Sequence, residues 1–432
     1  MEIKDQALVT QTGNYRWTIC TLLFLATTIN YVDRQILSLV KPILDEELGW
    51  TNEQFGIVNA VFQGAYGFGL LFFGWFVDRY GVKVGYAVSI IAWSFAAMGH
   101  SMVSTVTGFM VARASLGLSE GGNFPSAIKA TAQWFPKRER AFATSIFNAG
   151  TNVGAIVAPA IVPWIAYAYG WQMAFVLAGV AGLLWLLVWI PLYDRPEKSK
   201  RLGLLEKQYI ESDRDEVGEK QKVSWLRLLR YRQTWSFIVA KFMTDPVWWF
   251  FLIWLPDYFK KTRDLDIKES WIHLVTIYSI VTVLSIFGGW VIGYLNKQGW
   301  SITRARKTGM FVFALCVLPI FLVARMDEWG AVLLIGLAGA AHQAWSANLY
   351  TTVSDMFPKS AVASVIGIGG MAGATGGMLF PIFSGRLLDT FTASGNVTAG
   401  YTILFSICAG AYVITFLFHH LLAPRFEPFK MR

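Results

Sequence analysis

The chain has 432 residues, of which 55% are hydrophobic and only 15% charged, with a net charge of +9 and a mean hydropathy of +0.45. A soluble domain carries roughly 25% charged residues, so most of this surface is built to face something other than water. The basic residues are dispersed in short breaks between apolar runs rather than gathered on one face, which argues against a nucleic-acid partner and fits the loops of a membrane protein.

Residues 1–16 are polar, and the apolar segment after them is too long for a cleavable leader and contains Asp33 and Arg34. A helix needs about 20 residues to cross the hydrocarbon core. Runs of that length predict spans near 17–40, 54–77, 84–103, 105–133, 141–168 and 171–193. After a polar stretch at 194–232, further spans are predicted near 233–259, 270–297, 306–325, 329–356, 361–389 and 399–422. The second span holds Gly64, Gly67, Gly69 and Gly74, suited to close helix packing in lipid. The reading is an all-α membrane protein of twelve transmembrane helices. Its N-terminal six-helix half is 1–193, its C-terminal half is 233–432, and a central loop at 194–232 joins them, with an amphipathic surface helix expected after Arg201.

Eleven of the Lys and Arg residues fall in the 194–232 loop, and the loops on the same side add more, whereas the opposite side is basic mainly at 260–269. The positive-inside rule therefore predicts that both termini and the central loop are cytoplasmic. Trp134-Phe-Pro-Lys137 follows the fourth span and Met356-Phe-Pro-Lys359 follows the tenth, a repeat at equivalent points of the two halves. Cys20, Cys316 and Cys408 lie in apolar runs with neither metal nor disulfide spacing, and read as packing residues.

Between the second and third spans stands Gly74-Trp-Phe-Val-Asp78-Arg79-Tyr-Gly81-Val-Lys83. Gly74 is expected to let two helices touch, Asp78 to receive hydrogen bonds from a neighbouring helix end, and Arg79 and Lys83 to meet the cytoplasmic surface. The equivalent second-half loop keeps Arg304, Arg306 and Lys307 but not the Asp pattern.

Ionisable residues inside spans are costly, at least about 2.5–3.5 kcal/mol each at the bilayer centre, and so must face the protein interior. The first span has Asp33 and Arg34, the fourth Arg113 and Glu120, and the seventh Lys241 and Asp245. Arginine suits bidentate recognition of a carboxylate, and a buried carboxyl suits proton carriage. Two arginines and two acids in one half therefore read as an organic-anion site with a proton-coupling element. The competing reading is a set of internal salt bridges that orients helices. In the second half Trp248 and Trp249 suit stacking on a sugar ring or plain packing. Gln343, Asn348 and Tyr350 suit hydroxyl recognition or helix-to-helix hydrogen bonds. His100, His273 and His342 read as satisfied structural residues. The absence of a catalytic cluster or a metal-ligand set predicts neither an enzyme nor a metal protein.

The Gly74–Lys83 loop resembles the signature G-x-x-x-D-R-x-G-x-K/R of the major facilitator superfamily. Ile29-Asn-Tyr-Val-Asp-Arg34, Ala112-Arg-Ala-Ser-Leu-Gly-Leu-Ser-Glu120-Gly-Gly-Asn-Phe-Pro125 and Trp134-Phe-Pro-Lys-Arg-Glu-Arg140 resemble its anion:cation symporters. Lys241-Phe-Met-Thr-Asp-Pro-Val-Trp-Trp249 and Trp171-Gln-Met-Ala-Phe175 are most similar to hexuronate transporters of that branch. The resemblance implies the two-half major facilitator fold and proton symport of a sugar-acid anion, a hexuronate such as glucuronate or galacturonate. It implies proton-coupling roles for Asp33 and Glu120. It implies substrate contacts from Arg34, Arg113, Tyr31 and Tyr66, with Thr151 and Asn152 on the fifth span and Tyr350 near an aromatic pocket position. Thr151 in place of a family Gln, and Gly370 in place of an Asn, point away from galactonate. Another organic anion (an aldonate, aldarate or phosphate compound) or sodium coupling stays open. The expected setting is a bacterial inner membrane, with lipid and a small anion as partners, no cofactor beyond the coupling proton, and a monomeric state.

Overall fold

The computed structural model describes residues 13–212 and 225–427, without the side chains at 141, 225, 289, 359, 360 and 363. The polar tail ahead of residue 13, the loop residues 213–224 and the last residues of the basic C-terminus lie outside the described residues.

The helices of the first half are α1 (Tyr15–Leu48), α2 (Asn52–Tyr80), α3 (Val82–Gly99), α4 (Val106–Glu120), α5 (Asn123–Trp134), α6 (Lys137–Tyr169) and α7 (Trp171–Leu192). The central loop contains α8 (Leu204–Glu211) and a single turn at Trp225–Leu228. The second half has α9 (Arg232–Arg263), α10 (Ile267–Lys297), α11 (Ile302–Val317), α12 (Glu328–Met356), α13 (Lys359–Ala393) and α14 (Val397–Leu422). Each predicted span has its counterpart, and α1, α6, α9, α11 and α13 run a turn or more past the apolar run that announced them.

Three spans are not single α-helices, the third closing in a 3₁₀ turn at His100–Met102. The fourth is interrupted at Gly121-Gly122, immediately after Glu120, and resumes as α5. The ninth passes from α11 into a 3₁₀ stretch, Leu318–Arg325, with Pro319 at its start. Among the described residues nine helices are long and apolar enough to cross a membrane on composition alone. The crossings that fall short are α1, the α4–α5 pair and α12. They carry Asp33, Arg34 and Lys41, Arg113 and Glu120, and His342, Asn348 and Asp355, respectively. Polarity inside a span is costly, so it concentrates where side chains meet protein rather than lipid. Large apolar side chains such as Phe68, Leu71, Phe72, Leu184 and Leu187 are exposed, as a surface that meets lipid requires.

Contacts divide the chain into two compact units. The first holds the described residues up to Leu37, Ala65–Ala158 and Ile165 to the end of α8. The second holds Ser38–Gly64, Pro159–Trp164 and the chain from the Trp225 turn onward. In the first unit small residues let backbones meet. A Cβ added at Gly69 of α2 would stand 2.2 Å from the Leu118 carbonyl oxygen of α4, and one at Gly150 of α6 would stand 2.6 Å from the Phe24 carbonyl oxygen of α1. These approaches fix α4 against α2 and α6 against α1, and with them the side chains those helices carry. In the same unit the loop helix α8 is docked by Glu206, whose carboxylate accepts from the Tyr15 and Arg16 amides at 3.1 and 3.0 Å. An anion at the start of α1 satisfies amides that no helix carbonyl reaches.

Candidate functional site

The first unit places Asp33, Arg34, Arg113 and Glu120 together in a buried cluster. Arg34 Nε donates to Glu120 Oε2 at 2.6 Å, with the Arg34 side chain 6% and the Glu120 side chain 0% exposed. The Arg34 guanidinium lies 4.4 Å from the ring centre of Tyr66 and 4.9 Å from that of Tyr31. Two aromatic faces thus hold the guanidinium in place while one edge serves the acid. Arg113 Nη2 donates to the Arg34 carbonyl oxygen at 3.1 Å, which brings a second guanidinium against the same turn of α1. Asp33 is buried, and among the described residues neither of its carboxylate oxygens has a hydrogen-bond partner. Glu120 thus makes its short ion pair with Arg34 of α1. The formal charges of the four groups sum to zero.

The break at Gly121-Gly122 explains how Glu120 reaches this position. A Cβ at Gly121 would stand 2.3 Å from the Gly69 carbonyl carbon, so the interrupted turn sits directly on α2. The last residue of α4 is thereby held beside α1 and α2. On the other side of α1, a Cβ at Gly154 of α6 would meet Tyr31 Cβ at 2.6 Å. Thr151 and Asn152, both half-buried, belong to this same stretch of α6.

The signature loop differs in part from its reading. Gly81 adopts φ 87°, a conformation that glycine reaches without strain, and makes the turn from α2 to α3. Gly74, expected at a helix contact, has open space around it: a Cβ there meets nothing within 4 Å, and the close approach in this corner is at Gly85 against Val77. Asp78 pairs with the Lys129 ammonium at 2.7 Å, not with a helix end, and the same ammonium donates to the Val77 carbonyl at 2.9 Å. A lysine side chain from α5 thus replaces the expected backbone donors and also caps the end of α2. Lys83 reaches Asp194 at 3.2 Å, and Arg79 lies over Tyr80.

In the second unit the expected residues are more dispersed. Trp248 is buried and stacked on His342 with ring centres 5.6 Å apart, so one of its faces is occupied. His342 in turn bonds the Tyr412 hydroxyl. Trp249 is half-buried against Gly377. Asn348 donates back to the Ala344 carbonyl of its own helix at 2.8 Å and accepts from Arg306 of α11 at 3.4 Å, so its amide oxygen links α12 to α11. Tyr350 is exposed, and its hydroxyl accepts from Lys241 at 3.0 Å.

One polar constellation was missed in the sequence. Lys41, fully buried near the end of α1, donates to Asp257 at 2.6 Å, Asp45 at 2.7 Å and Asn52 at 3.0 Å. Lys261 also reaches Asp257, at 3.0 Å, and the Tyr401 hydroxyl donates to the same carboxylate. Beside it, Asp389 of α13 caps α2, accepting from the Asn52 and Glu53 amides at 2.9 and 2.8 Å. The available signal was Asp257, which falls within the predicted seventh span.

The sequence model of the Major Facilitator Superfamily matches residues 23–381. The chain is 29% identical to the hexuronate transporter of Escherichia coli strain K12 over 413 residues, covering 92% of this chain and 93% of that one. It is 30% identical to a probable galactarate/D-glucarate transporter of Bacillus subtilis strain 168, covering 91% and 90%. Its fold matches the crystal structure of a D-xylose–proton symporter with a TM-score of 0.74 at 14% identity, over 96% of this chain and 99% of that one.

Proposed function

Because the chain belongs to the major facilitator superfamily, and so is a membrane transporter and not an enzyme, we propose that it imports a monocarboxylate sugar acid, a hexuronate such as glucuronate or galacturonate, together with protons. The reading places it in a bacterial inner membrane with both termini cytoplasmic, as the distribution of Lys and Arg favours. The similarity to a hexuronate transporter over nine-tenths of both chains supports the cargo. The observation that carries the coupling is the buried, charge-balanced cluster around the 2.6 Å Arg34–Glu120 pair.

The physical argument is one of charge. An anion entering a negative-inside cell is opposed by about 2.3 kcal/mol per 100 mV. One proton moving with it cancels that cost, and a second makes the voltage favourable. The cluster is neutral before cargo arrives, so a bound monoanion leaves it one negative charge in excess, and a proton on either acid restores neutrality. Asp33, buried and without a hydrogen-bond partner among the described residues, is a carboxyl whose charge is well removed by a proton or matched by a cation. A proton on Glu120 weakens its hold on Arg34. The guanidinium, kept in orientation by Tyr31 and Tyr66, then exchanges the Glu120 carboxylate for that of the solute, taken in bidentate fashion. Arg113 supplies the second positive charge. Rocking of the halves, the general mode of this architecture, then carries solute and proton to the other side. Loss of the proton re-forms the Arg34–Glu120 pair and expels the solute.

The test is uptake of labelled glucuronate and galacturonate into vesicles containing the purified protein, with an imposed inward proton gradient and no sodium. Wild type is expected to accumulate solute, and Glu120→Gln to lose accumulation while still exchanging internal for external solute. Full gradient-driven accumulation by Glu120→Gln refutes the role of Glu120. Accumulation that requires sodium refutes proton coupling.

A further inference from the structure

A second charged group lies on the second unit, outside the cluster that the transport cycle uses. Lys241 of α9 is a buried ammonium. It sits 2.6 Å from Asp245 Oδ2, one turn along the same helix, and donates to the Tyr350 hydroxyl at 3.0 Å. The lysine side chain is 5% exposed and that of Asp245 is 19% exposed, while Tyr350 is 37% exposed. The cation is thus sealed inside, and the acid and the phenol ring are what remain accessible. Asp245 rests on Gly373 of α13, where a Cβ would stand 2.2 Å from Oδ2, so the carboxylate cannot swing away across that helix. One turn back on α13, a Cβ at Gly370 would meet nothing within 4 Å, so the surface beside the pair is open.

A buried lysine by itself is a natural receptor for an anion. This one is already neutralised, and its acid stands between it and anything arriving from the open side. Such an arrangement accepts hydroxyls, which bond to a carboxylate or to a phenol. It repels a carboxylate, which finds a like charge and no unpaired cation. The distinction matters for this group of transporters. A hexuronate carries one carboxylate, and the corresponding aldarate carries a second at its other end. A relative 30% identical over nine-tenths of the chain is described as a probable carrier of galactarate and D-glucarate.

We propose that the Lys241–Asp245 pair is a charge filter of this transporter: it accepts an uncharged, hydroxyl-bearing part of a solute and excludes a carboxylate there. Asp245 is the excluding group, Lys241 is the charge it masks, and Tyr350 holds the lysine in place while offering its hydroxyl to the solute. The proposal rests on the reading of the cargo as a sugar acid.

Asp245→Asn removes the repelling charge and leaves Lys241 unneutralised at nearly unchanged volume. The assay is exchange of labelled glucuronate in vesicles holding the full chain, with unlabelled galactarate, D-glucarate or galacturonate as competitor. In wild type, galactarate is expected to need at least tenfold more than galacturonate for half-inhibition. In Asp245→Asn the ratio of the galactarate value to the galacturonate value is expected to fall at least tenfold. The double variant Lys241→Met/Asp245→Asn is expected to lose the gain, because no cation remains to be uncovered. Ligand-induced thermal shifts of the purified variants, with the same acids, read the ranking without transport and cover the case in which Asp245→Asn binds but does not exchange. Wild type that handles monoacids while Asp245→Asn keeps the wild-type ranking in both measurements overturns the filter alone. Wild type that binds neither class overturns the sugar-acid reading as well.

Discussion

Replacing Lys41 by Met tests how the second unit is held together. Lys41 is fully buried and bridges Asp257, Asp45 and Asn52 at 2.6, 2.7 and 3.0 Å. Removing one member of a buried pair costs about 3–5 kcal/mol, because the other charge stays behind without compensation. Two features lower that figure here. Asp257 keeps Lys261 at 3.0 Å and the Tyr401 hydroxyl, and the Asp45 side chain is 25% exposed and so partly solvated. The buried apolar Met chain also recovers part of the lost packing. About 2–3 kcal/mol is the expected loss, and in a chain longer than the 150–250-residue proteins that lose about 2–4 °C per kcal/mol, the melting temperature should fall by about 3–8 °C. The assay is thermal unfolding of the purified protein in detergent, followed through tryptophan fluorescence. Lys41→Met/Asp257→Asn removes both charges of the shortest pair and is expected to recover at least half of the loss, since the cost lies mostly in the stranded acid. A single variant that melts within 1 °C of wild type, or a double variant that falls by the sum of the two singles, refutes the reasoning.

Other substitutions separate transport from packing. Arg34→Lys keeps the charge but loses the planar fork held between Tyr31 and Tyr66, and should raise KM for glucuronate exchange by at least tenfold with a smaller change in maximal rate. Trp248→Ala opens a cavity beside His342 and should cost about 3–5 kcal/mol, visible as lower thermal stability and yield. Trp248→Phe, which keeps most of the packing, should retain solute affinity if the ring only packs, whereas a large loss of affinity with stability intact would assign it to the cargo. Glu206→Gln keeps one of the two acceptors for the Tyr15 and Arg16 amides, turns an NH2 toward the other and weakens the pairing to Arg16, and should cost about 1–3 kcal/mol in melting experiments; Glu206→Ala, which leaves no acceptor, should cost more.

Much of this architecture was legible because the bilayer is a severe solvent. Spans show as apolar runs, and the few charges inside them show as exceptions that need partners. That is why Asp33, Arg34, Arg113 and Glu120 stood out before any coordinates. Their pairing was not legible. A seven-residue spacing put Arg113 and Glu120 on one helical face, yet Glu120 binds Arg34, because the helix ends at Glu120 and its carboxylate is aimed across to α1. Gly121-Gly122 marks that break, but glycines in spans are common, so the pair does not by itself announce an interruption. Lys41 escaped notice because it stands just past the apolar run and before Pro42, where a lysine reads as a loop residue. Only tertiary contact with Asp257, 216 positions away, shows it to be buried. Gly74 and Asp78 show the reverse: a motif can be right while the contacts expected of it fall on other residues, here Gly85 and Lys129.

The claim on which the rest depends is that a sugar-acid anion crosses with protons through the charge-balanced cluster. It is tested most directly in vesicles of the wild-type protein that trap a pH-sensitive dye, with no initial gradient. Adding glucuronate outside should acidify the lumen, with at least one proton entering for each labelled solute that enters. Solute entry with no change in lumenal pH, or no entry of any uronate, would contradict it.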